Sequence, residues 1–215
     1  MDRQLIAFLD RFGVPRRYPA GSMIFRQGET EDCLYFVREG MALVSVVTPE
    51  GRERNVLISW PEHFSGLATF FEGNPHRSSA VALVDCLVVV IHRDAFTRCC
   101  AEYPEVWGLI AHELACEVGL LLQQTVDSYL LSAEERVARF FVRRYAEGHC
   151  QATEEGLVME FTQTVIARVL GLSRWAVNQA VNNMKARGWL TTRYGKIIIL
   201  DMEALLNFSA DEPKC

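Results

Sequence analysis

The 215 residues contain no Cys-x-x-Cys pair, no His-x-His, no P-loop, no Gly-x-Gly-x-x-Gly and no Gly-x-Ser-x-Gly. These absences remove a zinc ribbon, a phosphate-loop or dinucleotide enzyme and a serine hydrolase, and they disfavour a cupin-type metalloenzyme. No enzymatic chemistry and no metal site are expected. Cysteines stand at 33, 86, 99, 100, 116, 150 and 215, an odd and scattered set that excludes a secreted disulfide framework. They read as small apolar residues in a reducing compartment, with Cys99-Cys100 the one pair placed for redox chemistry. The opening MDRQLIAFLDRFGVP is broken by acids and arginines, and it has neither a signal-peptide core nor the length of a membrane span. A cytoplasmic protein without membrane contact is the expectation.

Acidic residues are missing from one long window. Residues 161–200 carry Lys or Arg at 168, 174, 185, 187, 193 and 196 and no Asp or Glu. The whole chain is −5, with 22 basic and 27 acidic residues. The window is therefore +6, and the remainder is 16 − 27 = −11. A basic segment on an acidic protein points to a polyanion met by one part of the molecule.

From Tyr18 to about His92, short apolar runs alternate with Gly, Pro and Asn. PAGSMIF, LYFV, MALVSVV, NVLISW and AVALVDCLVVVI read as strands, and Pro49-Glu50-Gly51 as a hairpin tip. Their spacing predicts a small antiparallel barrel or roll. From about Tyr103 to Leu131 the texture becomes helical. Trp107, Ala111, Leu114, Val118, Leu121, Thr125 and Ser128 follow a 4-3 spacing, apolar over the first turns. At ~1.5 Å per residue such a helix is roughly 40 Å long, more than the roll alone covers, which favours a dimer seam over a core helix. Ser132-Ala133-Glu134-Glu135 is a capping box that starts a new helix, so 131–132 reads as a hinge.

Residues 162–190 read TQTVIARVLGLSRWAVNQAVNNMKARGWL. Thr162 caps a short helix, Gly171 closes it, and Ser173 caps a second, with small Ala167 on the inner face. This predicts a helix-turn-helix. Val177, Val181 and Met184 face inward at i, i+4, i+7 and leave Arg174, Trp175, Asn178, Gln179 and Asn182 outward. Amides read adenine and arginine reads guanine, so this acid-free face suits the major groove. With Thr162, Gln163 and Ser173 at the helix starts, these are the expected DNA-binding residues. TTRYGKIIIL adds a wing whose Arg193 and Lys196 suit phosphates.

Roll, long helix, hinge and winged helix-turn-helix, in that order, resemble the Crp–Fnr family of transcription regulators over nearly the whole chain. PAGSMIFRQGETEDCLYFVREG carries the resemblance through Gly21, Ile24, Gly28, Glu29, Tyr35, Val37 and Gly40. FSGLATFF, HRSSA, ERVARFF and GLSRWAVNQAVNNM continue it in order. The resemblance implies an α+β chain with a jelly-roll sensing domain over residues 1–100. A dimerisation helix would follow over 101–131 and a winged helix-turn-helix over 132–215. It implies a homodimer on a pseudo-palindromic DNA site, RNA polymerase as a partner, and an effector that rotates the hinge. Arg174 matches the family's main guanine contact, whereas Trp175 and Gln179 replace a common Glu and a common Arg. That predicts a half-site unlike the cyclic-AMP type.

The same resemblance marks Gly66, Leu67, Arg77, Ser78 and Ser79 as an effector pocket, capped by Leu121 and Leu122. Leu67 stands where cyclic-nucleotide members carry the Glu that accepts from the ribose hydroxyl. Leu121-Leu122 stand where a Thr-Ser pair meets adenine. Three polar contacts become apolar together, which disfavours cyclic AMP and suits a smaller anion with an apolar body. Phe64, Phe70, Phe71 and Trp107 are either its walls or core residues. Iron–sulfur members carry a cysteine cluster mostly in an N-terminal extension, and residues 1–32 hold no cysteine. Haem would need an axial ligand, and His63, His76, His92 and His112 all lack a diagnostic motif. No cofactor is required. The alternatives are a haem- or redox-linked sensor regulator of the same family, an effector-binding module whose helix-turn-helix meets protein only, and a disfavoured cupin-type metalloenzyme.

Overall fold

The computed structural model describes residues 9–209. Residues 1–8 and 210–215, with Cys215 and most of the opening run, lie outside it. The chain forms two compact units that divide after Gln123.

In the first unit, a helical turn at residues 9–12 leads into eight strands. They are β1 (Val14–Tyr18), β2 (Met23–Phe25), β3 (Cys33–Glu39), β4 (Ala42–Val47), β5 (Glu53–Ser59), β6 (His63–Ser65), β7 (Ser79–Ala82) and β8 (Cys86–His92). Two four-stranded antiparallel sheets result, ordered β1-β8-β3-β6 and β2-β7-β4-β5. The two-residue period of β3 explains how they pack. Tyr35 lies opposite Val90 and Phe36 opposite Val89. Cys33, Tyr35, Val88 and Val90 turn into the roll, against Phe25, Val44, Ala80 and Ala82. Leu34, Phe36, Val89 and Ile91 turn outward onto helices. Those helices are α1 (Leu67–Glu72), α2 (Arg93–Glu102) and the start of α3 (Val106–Leu130).

The run 80–91, read as one strand, is two strands in different sheets. Leu83 to Asp85 carry the chain across, and the Asp85 carboxylate accepts from Ala20 N at 2.9 Å. β1, β6, α1 and α2 were not legible as elements. β1 is an edge strand, VPRRY, whose exposed arginines hide any alternation. α1 spans six residues between Gly66 and Gly73, both left-handed, too short for a helical period to register.

The second unit holds the last turns of α3, then α4 (Ala133–Ala146), the hairpin β9 (Gln151–Thr153) and β10 (Gly156–Met159), α5 (Gln163–Leu170), α6 (Arg174–Ala186), β11 (Leu190–Arg193), β12 (Lys196–Ile199) and α7 (Met202–Ser209). The capping box at Ser132 is formed: its hydroxyl accepts from Glu135 N, and Glu135 accepts from Ser132 N at 2.8 Å. α4 buries Val137, Ala138, Phe140 and Phe141. It also buries Arg139, which meets Asp127 at 2.5 Å and donates to Ser209 O at 2.9 Å. The four-stranded sheet β11-β12-β10-β9 closes the unit. Its outer hairpin, β9–β10, is a further element that polar QAT and a mid-run glycine left unread.

Candidate nucleic-acid interface and sensing segment

α5 and α6 are fastened by the residues expected to do so. The Thr162 hydroxyl accepts from Val165 N at 3.2 Å, and the Ser173 hydroxyl accepts from Ala176 N at 3.1 Å. Gly171 takes φ 60°, and Leu172 N donates to Ala167 O, which turns the chain between the helices. Val177, Ala180, Val181 and Met184 are buried, which sets the outward face of α6.

On that face the amides form a chain. Asn182 Nδ2 donates to Asn178 Oδ1, and Asn178 Nδ2 donates to Gln163 Oε1, each at 3.0 Å. Asn178 therefore has both ends of its amide engaged, between Gln163 and Asn182. Among the described residues Arg174, Trp175 and Gln179 have no side-chain partner, and the Trp175 indole is 72% exposed. The Trp175 ring thus stands open beside Arg174 in the first turn of α6.

The wing is built as expected. β11 and β12 meet through Tyr194 and Gly195, both at positive φ, the geometry of a tight two-residue hairpin. The acid-free window, however, meets acids from elsewhere in the chain. Arg193 pairs with Glu155 at 2.6 Å, Lys196 pairs with Glu160, and Arg187 pairs with Glu134 at 2.9 Å. The net positive field of this face is weaker than the window alone implies.

In the sensing segment the expected residues are not gathered at one point. Leu67 is 2% exposed and packs among Leu34, Phe36, Phe64 and Phe70, on the helical side of the sheet. Arg77 is exposed and paired with Glu72 at 2.8 Å. Ser79 is buried and accepts from Gln27 N at 2.9 Å, while Ser78 is half-buried. Of the expected walls, Phe64 and Phe70 are core. Phe71 and Trp107 join Phe96 along a cleft of about 370 Å³ between α1, α2 and α3. Phe96 meets both Phe71 and Trp107 edge to face, with Phe96 and Trp107 centroids 5.4 Å apart. His76, named above only as one of four histidines without a diagnostic motif, lies 2% exposed beneath Gly66; a histidine before the arginine carried no signal of burial.

On α3, Leu114 packs against the helical core and Leu121 is half-buried, while Trp107, Val118, Leu122, Val126 and Tyr129 are exposed. Of the 4-3 series, Trp107, Ala111, Val118, Thr125 and Ser128 are exposed, while Leu114 and Leu121 are half-buried, Leu114 against the helical core of the roll. Glu113 and Glu117 lie on the roll side. Burial raises the Glu113 carboxyl, against His63 and the Phe64 backbone N–H; burial and then the neighbouring Glu113 raise Glu117. α3 is long and apolar enough to cross a membrane by length and composition.

A jelly roll followed in the chain by a long helix and a winged helix-turn-helix is the build of a DNA-binding transcription regulator with an effector-binding domain. The comparisons agree at each level. The cyclic nucleotide-binding domain family matches residues 15–103, and the Crp-like helix-turn-helix domain family matches residues 135–208. The CRP-like cAMP-activated global transcriptional regulator of Mycobacterium tuberculosis is 28% identical over 204 residues, covering 93% of this chain and 90% of the relative. The cAMP-activated global transcriptional regulator CRP of Salmonella typhimurium is 22% identical over 185 residues, covering 86% and 88%. FixK2 from Bradyrhizobium japonicum has the same fold at a TM-score of 0.79 and 20% identity, over 94% of this chain and 99% of that one. This chain belongs to the Crp–Fnr family of transcription regulators. The relatives are regulators rather than enzymes.

Proposed function

We propose that the protein is a cytoplasmic homodimer that binds a pseudo-palindromic DNA site, engages RNA polymerase there, and is controlled by a small effector other than cyclic AMP. The observation that carries the DNA-binding part is the α6 face. Arg174, Trp175 and Gln179 stand unpartnered beside an amide chain, with no acid on the helix. Arg174 reads guanine at the helix start, Trp175 packs on a thymine methyl, and Gln179 pairs with adenine. Selection from random DNA tests this: a half-site unlike the cyclic-AMP type is expected, and the unaltered cyclic-AMP consensus would refute it. The α3 stripe of Val118, Leu122 and Val126 supports self-association through a parallel helix pair, since exposed apolar rows of this kind are normally covered.

The Mycobacterium tuberculosis and Salmonella typhimurium regulators are cAMP-activated by name, yet the pocket positions speak for another ligand here. Leu67 offers no acceptor and is committed to the core, and Leu121-Leu122 offer no hydroxyl. A buried ribose hydroxyl without a partner would lose ~1–3 kcal/mol. The segment suits a small carboxylate with an apolar body, drawn to Arg77 in exchange for Glu72. Thermal stabilisation by a panel of carboxylate metabolites, in the wild type and in Arg77→Ala, tests it; equal shifts in both remove Arg77 from the site.

A further inference from the structure

The least satisfied polar side chain in the roll is His76. It is 2% exposed, and among the described residues neither ring nitrogen has a hydrogen-bond partner. The ring is boxed in. It stacks on Phe25, with centroids 4.4 Å apart and planes 18° from parallel, and lies 6.1 Å from the Tyr35 ring. A Cβ at Gly66 would stand 3.6 Å from His76 Cε1 and 3.3 Å from the Tyr35 ring, so α1 begins directly over it. The backbone of His76 is also a clasp: its N–H donates to Glu29 O at 2.9 Å, and its carbonyl accepts from Gly28 N at 2.8 Å.

We propose that His76 is a proton switch built into the sensing roll, whose neutral imidazole holds residues 74–79 closed and whose protonated form releases them. The charged and titratable neighbours make the direction clear. Glu29 and Glu31 face the ring from the turn before β3. Glu31 is held by the Tyr35 hydroxyl, and Arg26 lies 3.6 Å from Glu29. On the inner strands, burial pushes the Cys33 thiol up to about 11 and raises Cys86 as well, so both stay neutral. α1 offers only Gly66 above the ring, and Glu72 and Arg77 flank the segment as an ion pair.

Burial lowers His76 below its ordinary value of 6.5, with Glu31 and then Glu29 opposing. The unfolded chain protonates at that ordinary value, and the folded roll resists until the pH is lower. The stability His76 contributes is therefore complete above 6.5 and is lost as the pH falls through the folded value. An imidazolium cannot remain in an unpartnered apolar stack, and Glu31, ahead of Glu29, is the carboxylate that favours it most. Meeting it requires the ring to leave Phe25, which undoes the clasp on Gly28 and Glu29 and loosens the segment carrying Arg77.

Only the consequence for effector control rests on the sensing role proposed for this segment. The test uses the full chain from about pH 8 to about pH 5.5, the range in which histidines change charge. The His76 Cε1 proton is titrated by NMR, and amide protection factors are measured for Gly28, Asn74 and residues 76–79. In the wild type the ring is expected to titrate below 6.5, and protection at Gly28 and His76 to drop about tenfold or more across the range. His76→Phe keeps the stack and removes the charge, so it should show no such drop; His76→Gln serves the same comparison if the Phe variant does not fold. Titration at or above 6.5, or an equal drop in the variants, overturns the proposal. A drop that leaves DNA binding unchanged keeps the switch and removes effector control from this segment.

Discussion

Arg139 and Asp127 are a buried pair, with side chains 8% and 12% exposed, and the guanidinium also donates to Ser209 O. Asp127→Ala leaves the arginine buried without its carboxylate, and a loss of about 3–5 kcal/mol is expected in denaturant unfolding of the second unit. Glu117 behaves in the opposite sense. Its carboxyl is raised by burial and by Glu113, so the folded protein holds the proton more tightly than the unfolded chain. The stability this gives is present below the ordinary value of 4.5 and is lost as the pH rises through the folded value. Glu117→Gln should therefore raise the melting temperature at neutral pH and leave it unchanged near the acid end. At the reading face, Arg174→Ala should cost ~1–3 kcal/mol at one base pair, seen as relaxed preference at that position in binding to a selected site. These roles differed in legibility. The outward position of Arg174 followed from the buried series Val177, Val181 and Met184, but nothing local to Glu117 or Asp127 announced their burial.

Among the elements, α3 carries the sharpest expectation. Val118 and Leu122 are 56% and 64% exposed, although they sit in the middle of an apolar helix. Replacing both with Glu should shift the protein from dimer to monomer in light scattering and weaken DNA binding without unfolding the roll. Leu114→Glu, placed against the helical core, should instead lower the stability of the roll itself. The helix was readable because its 25 residues hold a period over several turns and end at a formed capping box. What the period did not show is that Leu114 and Leu121, in the same 4-3 series as Val118, would be half-buried while Val118 stays open. The short α1 and the edge strand β1 were missed for a related reason: six residues, or a strand with one neighbour, carry too little pattern to declare themselves.

For the whole molecule, the telling quantity is the distribution of charge. The acid-free window promised a strongly basic reading head, and the folded unit returns Glu134, Glu155 and Glu160 to three of its six cations. The salt dependence of DNA binding should accordingly report fewer released counterions than six per protomer would give, and Glu155→Gln should steepen it. What the amino-acid order determined by itself is the series of parts: strands from their alternation, helices from their period and caps, a wing from Tyr194-Gly195, and from these the family. Local chemistry suffices for that, because each signal spans only a few neighbouring residues. Only the tertiary structure decided that Leu67 serves the helical core, that wing cations meet distant acids, and that His76 lies unpartnered under Gly66. Each of those depends on residues far apart in the chain, whose meeting no short-range pattern records.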